Sequence, residues 1–153
     1  MGSDPLPSSR PIVIDTSGLP AAIASAQQQH AAARDVLRDA GVPLVLSPFV
    51  LAELDYLLQT RIGSQAQLAF FHEVERGAYR LEPFSASDFT EAIKIMERYA
   101  DLEVGLADAS IVVLCNRHDT SAILTLDERH FRAVLSLDDR PLNVLPADCR
   151  QRG

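Results

Sequence analysis

Apolar and polar positions along the chain follow two alternating rhythms. Short unbroken apolar runs, "PIVID", "PLVLS", "AILTL" and "LNVLP", are separated by longer stretches in which apolar residues recur every three or four positions. The short runs predict strands buried on both faces, and the periodic stretches predict helices. "LPAAIASAQQQHAAARDVLRDAG" supplies one or two Ala-rich helices ending at Gly41. "PFVLAELDYLLQTRIG" reads as a helix with Pro48 near its start and Gly63 at its end, the usual asymmetry of helix termini. "SQAQLAFFHEVERG" is a further helix, "AYRLEP" a short strand, and "SASDFTEAIKIMERYAD" an amphipathic helix with Ser87 as its N-cap. "LADASIVVLCNRHD" is a helix too apolar for the surface, and "DERHFRAVLSL" a short one. Strands alternating with helices predict an α/β domain, with a central, mainly parallel sheet flanked by helices on both faces. In such sheets ligands bind beyond the carboxyl ends of the strands, near the point where strand order reverses.

Four carboxylates interrupt or end these apolar stretches. Asp15 follows "IVI", Glu53 lies within "FVLAELDYLL", Asp108 opens "ADASIVVL" and Asp127 follows "ILTL". Phe49, Glu53 and Leu57 form one i, i+4 row beside the apolar arc of Val50, Leu51, Leu54, Leu57 and Leu58. That row predicts a Glu53 carboxylate directed toward the interior, where it needs a cation, a hydrogen-bond network or a raised pKa. The bland alternative is a boundary glutamate that reaches solvent or pairs with Arg61. Asp108 shares its helical row with Ile111, Val112 and Cys115. As a first-turn aspartate it also fits ordinary capping. "TLDERHF" around Asp127 has the same two readings, and Asp15 followed by Thr16 and Ser17 could be an Asx-turn. Together the four acids converge on one sheet edge, where their mutual repulsion calls for hard cations. An oxygen-only donor set without Cys or His suits Mg²⁺ or Mn²⁺. The chemistry such a site serves is phosphoryl or phosphodiester transfer, with metal-activated water.

Composition narrows the setting. The chain has 153 residues, 47% hydrophobic and 23% charged, one domain's worth with a real core. We divide it into a flexible extension over 1–10, a domain over 11–146 and a tail over 147–153. No apolar run reaches the roughly 18 residues of a membrane helix, and "MGSDPLPSSR" lacks the apolar core of a secretory signal. The expected location is cytoplasmic. Cys115 in "SIVVLC" reads as a small buried hydrophobe and Cys149 as a tail residue, with no zinc spacing to another ligand. A net charge of −7 argues against broad electrostatic binding of nucleic acid, yet bound cations would reverse the sign of an acidic pocket.

The ordered set "IDTSGL", "SPFVLAELDYLL", "VGLADASIVVL" and "ILTLDERHF" resembles PIN-domain ribonucleases, specifically toxins of the VapC type, over Ile12 to Pro146. The resemblance implies a PIN-like fold with Asp15, Glu53, Asp108 and Asp127 as its acidic quartet. Asp15 and Asp108 would be the firmest metal ligands, with Glu53 and Asp127 completing the site or binding water. Thr16, Ser17 and Thr125 would orient water, metal or phosphate, although a strand-end hydroxyl often only satisfies local backbone. It further implies a Mg²⁺-dependent endoribonuclease, with Mn²⁺ as a substitute, that cleaves structured RNA such as tRNA or an rRNA loop. Its products would carry 5′-phosphate and 3′-hydroxyl ends. A cognate antitoxin would inhibit it, and a homodimer would form a heterotetramer or larger assembly with that antitoxin. The N-terminal extension departs from the family, whose members usually begin almost at the first strand.

Arg61, Arg117, Arg129 and Arg132 are candidates for gripping RNA phosphates, against the plain alternative of a solvated helix face or salt bridges. Phe70 and Phe71 read as core or dimer interface, and the four histidines share no spacing. A haloacid-dehalogenase-type phosphatase would need a second aspartate where Ser17 stands. A receiver domain would need a late lysine, and Lys94 is the only lysine. No Gly-rich loop follows a strand, which leaves nucleotide-binding loops unsupported. The rival of a different class is a catalytically inactive PIN-fold module that binds RNA or protein.

Overall fold

The apolar triplet Ile12–Ile14 becomes the middle strand of a five-stranded sheet in the computed structural model of the chain. Residues 10–17, 41–125, 131 and 141–145 are described. The strands are β1 (Ile12–Ile14), β2 (Leu44–Leu46), β3 (Arg80–Leu81), β4 (Ala122–Leu124) and β5 (Asn143–Leu145). Their order is β3-β2-β1-β4-β5, and every pairing is parallel. Successive residues of β1 face opposite sides of the sheet, and all three are buried, so both faces are covered.

The order makes β1 the switch point. The chain steps outward from β1 to β2 and β3, then returns to the other side of β1 with β4 and β5. The crevice between the carboxyl ends of β1 and β4 is therefore where a ligand site belongs.

Helices α1 (Pro48–Arg61) and α2 (Ser64–Glu75) connect β2 to β3, and α3 (Ala86–Arg98) and α4 (Leu106–Arg117) connect β3 to β4. The Ser47 side chain caps α1 by accepting the Phe49 N–H at 3.2 Å, and Pro48 takes the first turn, where no N–H is missed. Gly63, at φ +128°, lets the chain turn directly from α1 into α2. Seven consecutive residues of α4, Ala109 to Cys115, are buried, as its unbroken apolarity predicts. It packs against α3, α1 and β1. Val50, Leu54 and Leu58 form the inward row of α1, and Phe70 of α2 joins the same core while Phe71 packs at its margin. Cys115 is fully buried, and that burial pushes its thiol up to about 12.

Helix α3 starts two residues earlier than expected. Ser85, not Ser87, is its N-cap: the Ser85 hydroxyl accepts the Asp88 N–H at 3.2 Å, and the Asp88 carboxylate accepts the Ser85 N–H at 2.8 Å. The reciprocal pair needs an acid three residues on, which Ser85 has in Asp88. The expected helices over 19–41 and 127–137 lie outside the described residues, apart from Gly41 and the buried Phe131. So do the proposed extension, save Arg10, and Cys149.

A charged cluster ties β3, α3 and α4 together. The Arg117 guanidinium donates to Asp88 at 2.5 Å, to Glu82 at 3.3 Å and to the Pro83 carbonyl at 2.8 Å. The His118 Nε2 lies 3.1 Å from Glu82, and Arg80 lies 3.8 Å from the same carboxylate. The Ser85 backbone N–H holds the Asp88 carboxyl below its usual range, helped by Arg117 and the Ser85 hydroxyl and opposed by desolvation.

Two stability predictions follow from this packing. Leu54→Ala should cost about 2–5 kcal/mol by urea denaturation, since its side chain is wholly enclosed. Asp88 has a lowered folded-state pKa, so its contribution is present above the unfolded carboxyl value near about 4 and is lost as pH falls through the folded one. The stability gap between wild type and Asp88→Ala should accordingly persist at neutral pH and shrink in acid, read as urea midpoints across a pH series.

Candidate active site

Asp15 is delivered by β1 to the switch-point crevice. Its backbone is fixed there by the Asp15 N–H donating to the Leu124 carbonyl at 2.9 Å, and its side chain is 6% exposed. A carboxylate so enclosed needs hydrogen-bond donors or a cation. Two hydroxyls supply the former: Ser17 donates to Asp15 Oδ2 at 2.8 Å and Thr125 to the same oxygen at 2.7 Å. The two hydroxyl oxygens are 2.9 Å apart. Thr125 follows β4, with its N–H bonded to the Leu145 carbonyl at 2.9 Å, so the triangle closes across β1 and β4. Among the described residues no hydrogen bond is recorded to Asp15 Oδ1. The hydroxyls thus occupy one carboxylate oxygen and leave the lone pairs of the other unused by them.

Glu53 reaches the same edge by a different route. Buried Thr16 donates its hydroxyl to Glu53 Oε2 at 2.6 Å, linking the turn after β1 to α1. The expectation of an inward Glu53 is corrected here: the residue is exposed. The inward row of α1 is Val50, Leu54 and Leu58, and Glu53 stands about 100° around from Leu54. Phe49 and Leu57, its row neighbours, are only half-buried, so that row runs along the rim of the core. Beside Glu53, Ala52, Tyr56 and Leu57 line a shallow, largely apolar groove.

Asp108 is half-buried in the first turn of α4. Gly105 is the N-cap and contributes no side-chain cap, and a Cβ added there would meet Asp108 Oδ2 at 3.9 Å. The turn is brought to the carboxyl edge by Ser110, whose hydroxyl lies 2.7 Å from that of Ser47 at the end of β2. Asp127 lies outside the described residues, as do Arg129 and Arg132. Among the described residues, no three His, Cys, Asp or Glu side chains stand close enough to form a ready-made metal cage.

The donor chemistry nonetheless fits a hard cation. Asp15 and Asp108 offer oxygen only, and Mg²⁺ takes one or two carboxylates while keeping several waters. The buried Asp15, with both hydroxyls on Oδ2, is the donor best prepared for that task.

The arginines separate. Arg117 is engaged by Glu82, Asp88 and Pro83, and roughly 14 Å of helix separates it from Asp108, so the salt-bridge alternative describes it. Arg61 is exposed at the last turn of α1. Ser47 and Ser110, both fully buried, were passed over in the sequence. The signal was present: a hydroxyl before Pro48 suits an N-cap, and one inside "ADASIVVL" must find a partner when buried.

Comparison with known proteins adds an independent finding. The family model described as PIN domain matches residues 12–135. A curated protein, Ribonuclease VapC26 of Mycobacterium tuberculosis (strain ATCC 25618 / H37Rv), is 42% identical over 135 residues, spanning 88% of this chain and 100% of its own length. Among solved structures, Mycobacterium tuberculosis VapC20, titled a sarcin-ricin loop cleaving toxin, matches with a TM-score of 0.71 at 22% identity. That match covers 78% of this chain and 92% of the other, and it is a likeness of fold.

Proposed function

The chain belongs to the PIN-domain family, among its VapC-type members, and from that premise we propose that it is a Mg²⁺-dependent endoribonuclease toxin. The single observation that carries this reading is the buried Asp15 carboxylate, held by Ser17 and Thr125 at the switch point of the sheet. Its substrate is structured RNA such as a tRNA or a ribosomal RNA loop, recognised by shape rather than by a linear code. A cognate antitoxin neutralises it in the cytoplasm, and the toxin acts as a homodimer that joins the antitoxin in a heterotetramer or larger assembly.

In this reading Asp15 and Asp108 hold Mg²⁺, or Mn²⁺ in its place, and Glu53 and Asp127 complete the site or bind water. The cation supplies charge neutralisation at the phosphodiester and lowers the pKa of water. The chain's own residues do the rest. Ser17 and Thr125 keep Asp15 Oδ2 occupied and leave Oδ1 as the oxygen for a cation. Thr16 holds Glu53 at the rim, where an exposed carboxylate can accept a proton from an entering water. Arg61, and Arg129 and Arg132 beyond the described residues, offer phosphate contacts around an otherwise acidic surface.

The test is cleavage of tRNA and rRNA in Mg²⁺ by wild type, Asp15→Asn and Asp108→Asn. Wild type should cut, both variants should fall to background, and chelation should abolish cleavage until Mg²⁺ or Mn²⁺ is restored. An inert wild type, or three proteins that cut alike, would remove the nuclease reading and leave a PIN-fold binding module. Thr125→Val should lower the cleavage rate about 10–100-fold, the usual effect of removing a group that orients a metal ligand.

A further inference from the structure

We propose that Ser47 and Ser110 are positioning residues that set the spacing between Glu53 and Asp108, an inference that rests on the metal-dependent nuclease reading above. Both hydroxyls are fully buried, and they lie 2.7 Å apart. Their hydrogens can be assigned from their other partners. Ser110 donates to the Ala107 carbonyl at 2.6 Å, and a carbonyl can only accept. Ser110 has no second hydrogen, so Ser47 is the donor in the pair. Ser47 in turn accepts the Phe49 N–H at 3.2 Å. The result is a one-way chain from the Phe49 N–H through Ser47 and Ser110 to the Ala107 carbonyl.

The ends of that chain give it meaning. Phe49 lies one helical turn before Glu53 on α1. The Ala107 carbonyl belongs to the peptide group that joins Ala107 to Asp108. Two helices far apart in sequence, each carrying one of the acids, are pinned to each other at their first turns.

The N-cap Gly105 supplies no side-chain hydrogen bond to the first turn of α4. The segment before it passes through Glu103 in a left-handed conformation, at φ 52°. Alanine would suit the interior of a buried helix better than serine, because serine competes for backbone partners. Ser110 instead spends its hydrogen on the Ala107 carbonyl and takes one from Ser47. Hydrogen bonds joined in one direction also polarise each other, which makes the chain stiffer than its separate links.

The experiment measures Mn²⁺ affinity by calorimetry for wild type, Ser110→Ala, Ser47→Ala and the double variant, with metal-free melting followed in parallel. Each single variant should bind Mn²⁺ about tenfold or more weakly, in the range seen for outer groups that orient ligands. The double variant should be no weaker than the poorer single one, because either change breaks the same chain. Ser47→Thr keeps both the cap and the hydroxyl and should bind as wild type does. If Ser110→Ala does not fold, Ser47→Gly deletes the same link with little cost to the cap. Variants that melt lower but bind Mn²⁺ as tightly as wild type would overturn the positioning role, as would losses that add in the double variant. A wild type that binds no Mn²⁺ would overturn the metal-dependent reading itself, and this inference with it.

Discussion

A carboxylate at the end of a strand that is paired on both sides has almost no freedom to relax. Asp15 is in that position: its peptide is hydrogen-bonded to β4, its neighbours in β1 are buried on both faces, and its side chain is nearly enclosed. Desolvating such a group is unfavourable unless donors replace the lost water. Ser17 and Thr125 are those donors, and both reach one oxygen. The parallel order of the sheet, the close approach of β4 to β1 and the placement of hydroxyls on both are conditions for keeping that carboxylate in place. Thr16, the next residue along, ties the same turn to Glu53 of α1.

The supports differ in kind at the two ends of α4. At its start the packing is of hydroxyl on hydroxyl, dry and short-ranged, with Ser47 meeting Ser110. At its end the contacts are ionic and wetter, with Arg117 gathering Glu82, Asp88 and the Pro83 carbonyl. Ion pairs near the surface tolerate small shifts, because their attraction varies slowly with distance. Buried hydroxyl pairs do not. The precise end of the helix is thus the one beside the acids, and the compliant end lies away from them.

Much of this was legible in the sequence because it rested on local pattern. "PIVID" and "AILTL" read as buried strands, and the acid and hydroxyl following them read as edge residues. The apolar run from Ala109 to Cys115 announced a helix buried along that whole stretch. Where reading failed, a single turn of helix made the difference. Glu53 shares a row with Phe49 and Leu57, but that row borders the core because the α1 contacts centre on Val50, Leu54 and Leu58. Ser85 outcompeted Ser87 because only it has an acid at the third position beyond. The Ser47–Ser110 link joins residues 63 apart, and no one-dimensional spacing encodes such a pair. For Arg117 the salt-bridge alternative holds, but its partners Glu82 and Asp88 are likewise distant in sequence and no spacing names them.

The bond from Thr125 to Asp15 closes a separation of 110 residues. A chain emerging from the ribosome presents β1 well before β4, and the hydroxyl that completes the Asp15 triangle follows 110 residues after the carboxylate it binds. Until then Asp15 sits on a strand with an open flank, hydrated rather than dry. Closing so long a loop carries an entropy cost that grows slowly with length, and parallel pairing of distant segments is slow. The Asp15 triangle therefore waits on β4 and is among the first features to be lost when β4 detaches. Losing β4 would take from Asp15 both the Leu124 carbonyl that fixes its peptide and the Thr125 hydroxyl that holds its carboxylate.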